Sequence, residues 1–221
     1  MIDTSMTKCD VFLMGKVPSA ALEHECRKMP CVAGVRTVCG RAEDSRFLAQ
    51  VAVEAQAPLT LLVLRPQDTE LGRRAIDRYV QVAQQTGAAF LYADRWKRRE
   101  DSDERTIARC IDHQLGSVRN DFDTGSVLML RTDVLKAWAN ATATARHFPL
   151  RYGALYDLRL CGARLAQPLA IFHLGELLYC EVERDWRRSG EKQFDYVDPR
   201  NRDVQVEMET VCTNHLRAIG A

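Results

Sequence analysis

YGALYDLRLCGAR, Tyr152 to Arg164, sets one carboxylate, Asp157, among small, apolar and arginine residues. It follows GSVLMLRTDVL, Gly125 to Leu135, where an apolar strand pattern passes into a helical one. Leu158-Arg159-Leu160 predicts the start of a further helix, with Asp157 at its mouth. Two readings of that residue stand side by side. Asp is a favoured N-cap, because its carboxylate accepts from backbone amides that have no partner inside the helix. A carboxylate held at a helix mouth and partly desolvated is also what a general base requires, since desolvation moves its pKa toward working pH.

Upstream, short apolar runs alternate with helical patterns, which predicts an α/β fold with a mostly parallel sheet flanked by helices. CDVFLMG (Cys9 to Gly15) reads as the first strand, and Ser19 as the cap of a helix carrying Leu22, Cys26 and Met29. GVRTVCG (Gly34 to Gly40) reads as the second strand, followed by a helix with Phe47, Leu48, Val51, Ala52 and Ala55 on one face. LTLLVL (Leu59 to Leu64) is continuously apolar, as expected of a strand buried on both faces. Leu71, Ala75, Tyr79, Val82 and Ala83 predict a helix starting near Thr69 and stopped by Gly87. AAFLYAD (Ala88 to Asp94) and SVLMLR (Ser126 to Arg131) complete the strands of this half. The polar span Arg95 to Asp123 reads as a long loop, and WKRRE (Trp96 to Glu100) within it as a solvated turn. DYVDPRNRDVQVEMETVCTNHLRAIGA predicts a last helix started by Asp198 and Pro199, with Val204, Met208, Val211, Cys212, His215 and Ile219 on its apolar stripe.

Composition narrows the function. Lys plus Arg number 31 against 30 Asp plus Glu, so net charge gives no pull toward nucleic acid or an anionic membrane. Eight cysteines at irregular spacing, without C-x-x-C, read as small buried residues of a reducing compartment rather than a zinc site or disulfide frame. No apolar run reaches the ~18 residues of a membrane span, so a cytoplasmic protein is expected. His113 and His173 read as packed or hydrogen-bonded imidazoles.

Taken in order, these segments resemble a divergent family 2 glycosyltransferase of the GT-A fold, as found in bacterial glycan biosynthesis. In that family a strand and an "frr..l" helix start precede a Glu-Asp pair and an "L..R" helix, which here read GSVLMLRTDVL, Tyr156-Asp157 and Leu158 onward. The resemblance runs from about Asp10 to Phe194. It implies a transferase domain over residues 1–195 and a C-terminal helix over 196–221 that leads toward a further domain or partner transferase.

The resemblance also implies roles. Asp157 would be the base that deprotonates the attacking hydroxyl in an inverting transfer from a nucleoside-diphosphate sugar to a glycan or other acceptor. GKVPS offers Lys16 to a phosphate, and GRAEDS offers Glu43 or Asp44 to the nucleoside. LRPQD (Leu64 to Asp68) stands where the family carries "LDsDD", so Asp68 alone remains to hold a divalent cation, Mn²⁺ or Mg²⁺. Asp68 and Asp44 also read as helix caps. Arg187 and Arg188, with Ser189 and Lys192 nearby, stand where the family brings a basic group to the diphosphate. GSVRNDFDTGSVLML (Gly116 to Leu130) implies an acceptor-side wall with Asp121 and Asp123, joined by Asp94. Loss of two acidic positions at LRPQD supports a second expectation, an inactive binding or assembly module. A sugar-1-phosphate nucleotidyltransferase would need a Gly-rich phosphate loop that MGKVPS lacks.

Overall fold

Alternating side chains of β1 (Cys9–Met14) serve two different cores, and that alternation organises the molecule. Phe12 and Met14 join one apolar cluster, while Val11 and Leu13 join the other. The computed structural model describes residues 7–17, 19–114, 116–143, 149–165, 170–183 and 202–221.

Eight strands form one sheet in the order β2-β1-β3-β7-β5-β8-β4, with β6 added on β5. The remaining strands are β2 (Val32–Val38), β3 (Leu59–Val63), β4 (Thr69–Leu71), β5 (Phe90–Arg99), β6 (Arg105–Ala108), β7 (Val127–Arg131) and β8 (Ile171–Glu183). Strands β1, β2, β3, β5 and β8 share one direction, and β4, β6 and β7 oppose it. On one face lie α1 (Ala20–Arg27) and α3 (Ala75–Thr86), through Leu22, Cys26, Ile76 and Tyr79. On the other lie α2 (Ser45–Glu54), α4 (Thr132–Ala143), α5 (Ala154–Leu165) and α6 (Arg202–Ile219), through Leu48, Trp138, Leu158 and Val211. Burial on both faces explains why β1, β3 and most of β7 are mainly apolar; the polar exceptions, Asp10 and Thr60, are buried and hydrogen-bonded, to the Ala57 amide and the Thr132 hydroxyl.

Several local expectations change. Residues 69–71 extend as β4 against β8, so Leu71 is not helical and Asp68 caps no helix; α3 begins at Ala75 after Arg74. Gly87 does stop α3, in the left-handed conformation at φ 65°. The second strand begins at Val32, before the expected Gly34, and Met29 lies beyond the end of α1. Ser19 occupies the N-cap position of α1 without a side-chain cap bond. Trp96 to Arg99 extend β5, paired with β8 throughout and with β6 as far as Arg98, instead of forming a solvated turn.

The largest shift concerns α5, which starts at Ala154 and carries Asp157 inside its first turn rather than at a cap. The missing cap comes from α6. The Glu207 carboxylate accepts from the amides of Tyr152 and Gly153 at 2.7 Å each and from Arg151 at 3.0 Å. A carboxylate at this end also opposes the positive pole of the helix. Along α6, Val211 and His215 are buried while Ile219 is exposed, so the expected stripe fades toward its end. Asp198 and Pro199 lie outside the described residues.

Candidate functional site at the carboxyl ends of the strands

Loops that follow β1, β2 and β3 are tied into one rim. Gly15 donates its amide to Val38 O at 3.0 Å, and Gln67 reaches from LRPQD to Val17 O at 3.1 Å. Leu64 donates to Ser126 O at 2.8 Å, joining the third loop to the turn before β7. Ala154 donates to Glu43 O at 3.0 Å, so the mouth of α5 rests on the GRAEDS loop. Val182 donates to Asp68 O at 2.9 Å, bringing in the end of β8. Parallel strands leave a crevice at this edge, where ligands of α/β sheets gather.

Lys16 is exposed on the rim, and Glu43 is half-buried with Arg41 at 3.3 Å. Asp44 caps α2 by accepting from the Arg46 amide at 3.0 Å, and its carboxylate pairs with the Arg46 guanidinium at 2.6 Å. That guanidinium holds the Asp44 carboxyl below its usual range. Asp68 is nearly fully buried at the end of LRPQD, its amide donating to Arg65 O at 3.0 Å. Arg187, Arg188, Ser189 and Lys192 lie outside the described residues.

Asp157 is 8% exposed and accepts from the indole of fully buried Trp138 at 2.8 Å. The indole fixes that carboxylate oxygen toward α4. On the same helix, Arg159 donates to Ser117 O at 2.8 Å and Arg119 O at 2.6 Å, its guanidinium lying 4.8 Å from the Phe122 ring centre. The Tyr156 hydroxyl bonds to Val118 O. Residues 117–122 are thereby held on α5. Asp121 on this segment is exposed and paired with Arg119 at 2.6 Å, which keeps its carboxyl below the usual range.

Asp94 lies where the pairing of β5 with β8 breaks register, between Ala93 and Arg95. Asp94 Oδ1 meets His173 Nε2 at 2.8 Å and accepts from the Cys110 amide at 2.8 Å, while Oδ2 accepts from Arg109 at 3.2 Å. Burial opposes ionisation of Asp94, but these donors outweigh it and hold the carboxyl below its usual range. His173 Nδ1 lies 2.7 Å from Asp112 Oδ1, and Tyr92 stacks on the ring at 5.1 Å between centres. Burial pushes the Cys110 thiol up to about 11, against the pull of Arg95. One ligand atom each from Asp94, Cys110 and His173 lies within 4.8 Å of the others.

Next in the strand, Arg95 is 3% exposed and bridges two carboxylates, Glu181 at 2.5 Å and Asp123 at 2.8 Å. Partial burial works against the Asp123 charge, but Arg95 keeps its carboxyl below the usual range. Asp123 also accepts from Gly125 N at 2.9 Å, and Tyr179 OH accepts from Ser126 N at 3.0 Å. Gly125 has φ 69°, and a Cβ there would stand 2.0 Å from Tyr179 OH, so the turn that starts β7 accepts only glycine.

Compared with known proteins, the sequence matches no protein-family model and no curated protein. The structure is similar to S. aureus TarS 1–349 in complex with UDP-GlcNAc, at TM-score 0.55 and 10% identity over 81% of this chain and 59% of that one. It is also similar to TarS 1–349 in complex with UDP, at TM-score 0.53 and 11% identity over 95% of this chain and 65% of that one. The fold is GT-A-like. This chain spans about three fifths of the length of the TarS chains it matches.

Within this GT-A-like fold the expected residues divide. Lys16, Glu43, Asp44 and Asp68 share the rim, and Asp94 and Asp123 meet through neighbouring Arg95, whereas Asp121 projects outward with Arg119. Among the described residues no group of three potential metal ligands includes Asp68; the group that exists is Asp94, Cys110 and His173. Sequence reasoning set Cys110 aside as a small core residue, His173 as a packed imidazole and Arg95 as part of a loop. Their juxtaposition depends on β5 pairing with β8 about 80 residues away, and only the short spacing from Asp94 to Cys110 and Asp112 was visible locally. No described helix is long and apolar enough to cross a membrane.

Proposed function

We propose that this chain binds a nucleoside-diphosphate sugar on the rim of its GT-A-like sheet and transfers the sugar, with inversion, to a hydroxyl acceptor. The observation that carries this reading is the likeness to TarS 1–349 in complex with UDP-GlcNAc. Uridine is therefore the first nucleoside to test. Lys16, with Arg187 and Arg188, would neutralise the diphosphate, since Arg suits paired contacts to phosphate oxygens. Glu43 would meet the nucleoside in preference to Asp44, whose carboxylate is engaged by α2 and Arg46.

Asp68 would contribute one carboxylate to a divalent ion, Mg²⁺ or Mn²⁺, which keeps several waters and neutralises leaving-group charge. Asp157 would take the proton of the attacking hydroxyl, and Asp94, Asp121 and Asp123 would line the acceptor side. The setting would be bacterial polysaccharide biosynthesis in the cytoplasm, together with a further transferase domain or partner.

A second reading, a binding module without catalysis, is favoured by one contact. The Asp157 carboxylate is turned to a buried indole and is only 8% exposed. Calorimetry with uridine, guanosine, thymidine and cytidine diphosphates, with and without Mn²⁺, tests the shared step; no heat from any of them removes both readings. Transfer assays then separate the two. With Asp157 as base, Asp157→Asn lowers turnover by at least about a hundredfold while nucleotide binding persists. Equal turnover in parent and variant removes Asp157 from catalysis, and no turnover in the parent leaves the binding module.

A further inference from the structure

We propose that Asp94, Cys110 and His173 form a zinc site, with Asp94 Oδ1, Cys110 Sγ and His173 Nε2 as ligands and a fourth position open to water. This inference does not depend on the sugar-transfer reading: of its ligands only Asp94 is shared with the acceptor side proposed above, and metal binding is read without any sugar or nucleotide.

The donor set selects the ion. One thiolate, one imidazole and one carboxylate suit a borderline-soft tetrahedral cation, whereas Mg²⁺ and Mn²⁺ prefer oxygen ligands. The three atoms lie within 4.8 Å of one another. Ligands held about 2.0 to 2.3 Å from zinc stand roughly 3.3 to 3.8 Å apart in a tetrahedron, so side-chain movements of about 1 Å close the site.

Partners around each ligand are already in place. A metal-bound imidazole usually donates its other N–H to a carboxylate, and His173 Nδ1 faces Asp112 Oδ1 at 2.7 Å. Arg109 engages Asp94 Oδ2 at 3.2 Å, which leaves Oδ1 turned toward the imidazole. Arg95 Nη1 donates to Cys110 Sγ at 3.4 Å, a hydrogen bond that a metal-bound sulfur can keep. Tyr92 stacks on His173, and Phe122 meets Tyr92 edge-on at 5.9 Å, supplying an apolar wall. Binding requires Cys110 Sγ to lose its proton to solvent and His173 to present Nε2 without a proton, its remaining N–H at Nδ1 facing Asp112. An ion pair serving only to hold β8 against β5 would need Asp94 and His173 but would give Cys110 no part.

The test uses the full chain of 221 residues, stripped of metal and titrated with Co²⁺ and Zn²⁺. One equivalent of Co²⁺ should give tetrahedral visible bands and a thiolate charge-transfer band, reversed by Zn²⁺. Cys110→Ser should abolish the charge-transfer band and weaken Zn²⁺ binding by at least about tenfold. Asp112→Ala, which removes the acceptor facing the ligand imidazole's Nδ1, should weaken it by about tenfold. Cys39→Ser, at an exposed thiol, should match the parent. X-ray absorption of the zinc-loaded parent needs no variant and should show one sulfur among nitrogen and oxygen scatterers. Absence of the charge-transfer band in the parent, a band unchanged in Cys110→Ser, or a sulfur count other than one overturns the site.

Discussion

Asp157 and Asp94 are both nearly fully buried carboxylates, 8% and 1% exposed, yet their surroundings differ in kind. Asp157 sits in the first turn of α5 and meets a neutral donor, the Trp138 indole. Asp94 sits at a register break between two strands and meets a backbone amide, a guanidinium and an imidazole. Beside it, Arg95 and Glu181 form an ion pair with both side chains almost without solvent. Burying an ion is costly unless other charges and hydrogen bonds surround it, so a chain keeps such a cluster where charges are held in defined positions. The Asp157 helix is positioned chiefly by packing and by a cap borrowed from α6.

Breaking the charged corner should have the largest effect. Arg95→Met leaves Glu181 buried without its cation, and Glu181 Oε2 already has no hydrogen-bond partner among the described residues. Urea unfolding should show a loss of about 3 to 5 kcal/mol, and a loss below about 1 kcal/mol would mean that water enters the corner. At the other carboxylate, Trp138→Phe keeps an aromatic ring but removes the indole donor to Asp157 and part of a fully buried side chain. A cost of about 1 to 3 kcal/mol is expected from the lost buried hydrogen bond and the smaller ring together. Equal stability would show that Asp157 finds another donor at once.

Smaller effects sharpen the contrast. Glu207→Ala removes the cap on α5 and should cost about 1 kcal/mol, within the range of helix-cap deletions. Hydrogen exchange should quicken at Tyr152 and Gly153 while the strands stay protected; unchanged exchange there would dismiss the cap. His113, packed edge-on against Phe122, has its pKa lowered to about 4, chiefly by burial and then by the charges of Arg159 and His215. Below its unfolded value of about 6.5 the unfolded chain takes a proton that the folded chain refuses. Stability contributed by His113 is therefore complete above about pH 6.5 and is lost as pH falls toward about 4. His113→Gln should flatten the unfolding midpoint across that window, and an unchanged slope would place the ring in water.

Much of the framework was legible because it obeys local periodicity. The apolar runs Cys9 to Met14 and Leu59 to Val63 are buried strands, and Gly87 stops α3. Strands β4 and β6 escaped notice because each is short and holds its place through a partner. Thr69 to Leu71 pair with β8, and Arg105 to Ala108 pair with the charged end of β5. A strand of that length carries too few side chains for a period to emerge. The early start of α5 was hidden because its cap, Glu207, lies more than fifty residues downstream.

The sequence by itself determined the buried strands β1, β3 and β7 and the helices that alternate with them, because apolar runs and helical spacing are properties of neighbouring residues; it offered Asp68, Asp94 and Asp157 as candidates through a family resemblance. Tertiary structure alone decided what each carboxylate meets. It turned Asp157 toward an indole on α4, ended the helix-cap reading of Asp68 by pairing residues 69–71 with β8, and brought His173 and Cys110 to Asp94. The physical reason is that the electrostatics of a buried charge depend on groups a few ångströms away in space, and strand pairing chooses those groups from distant parts of the chain.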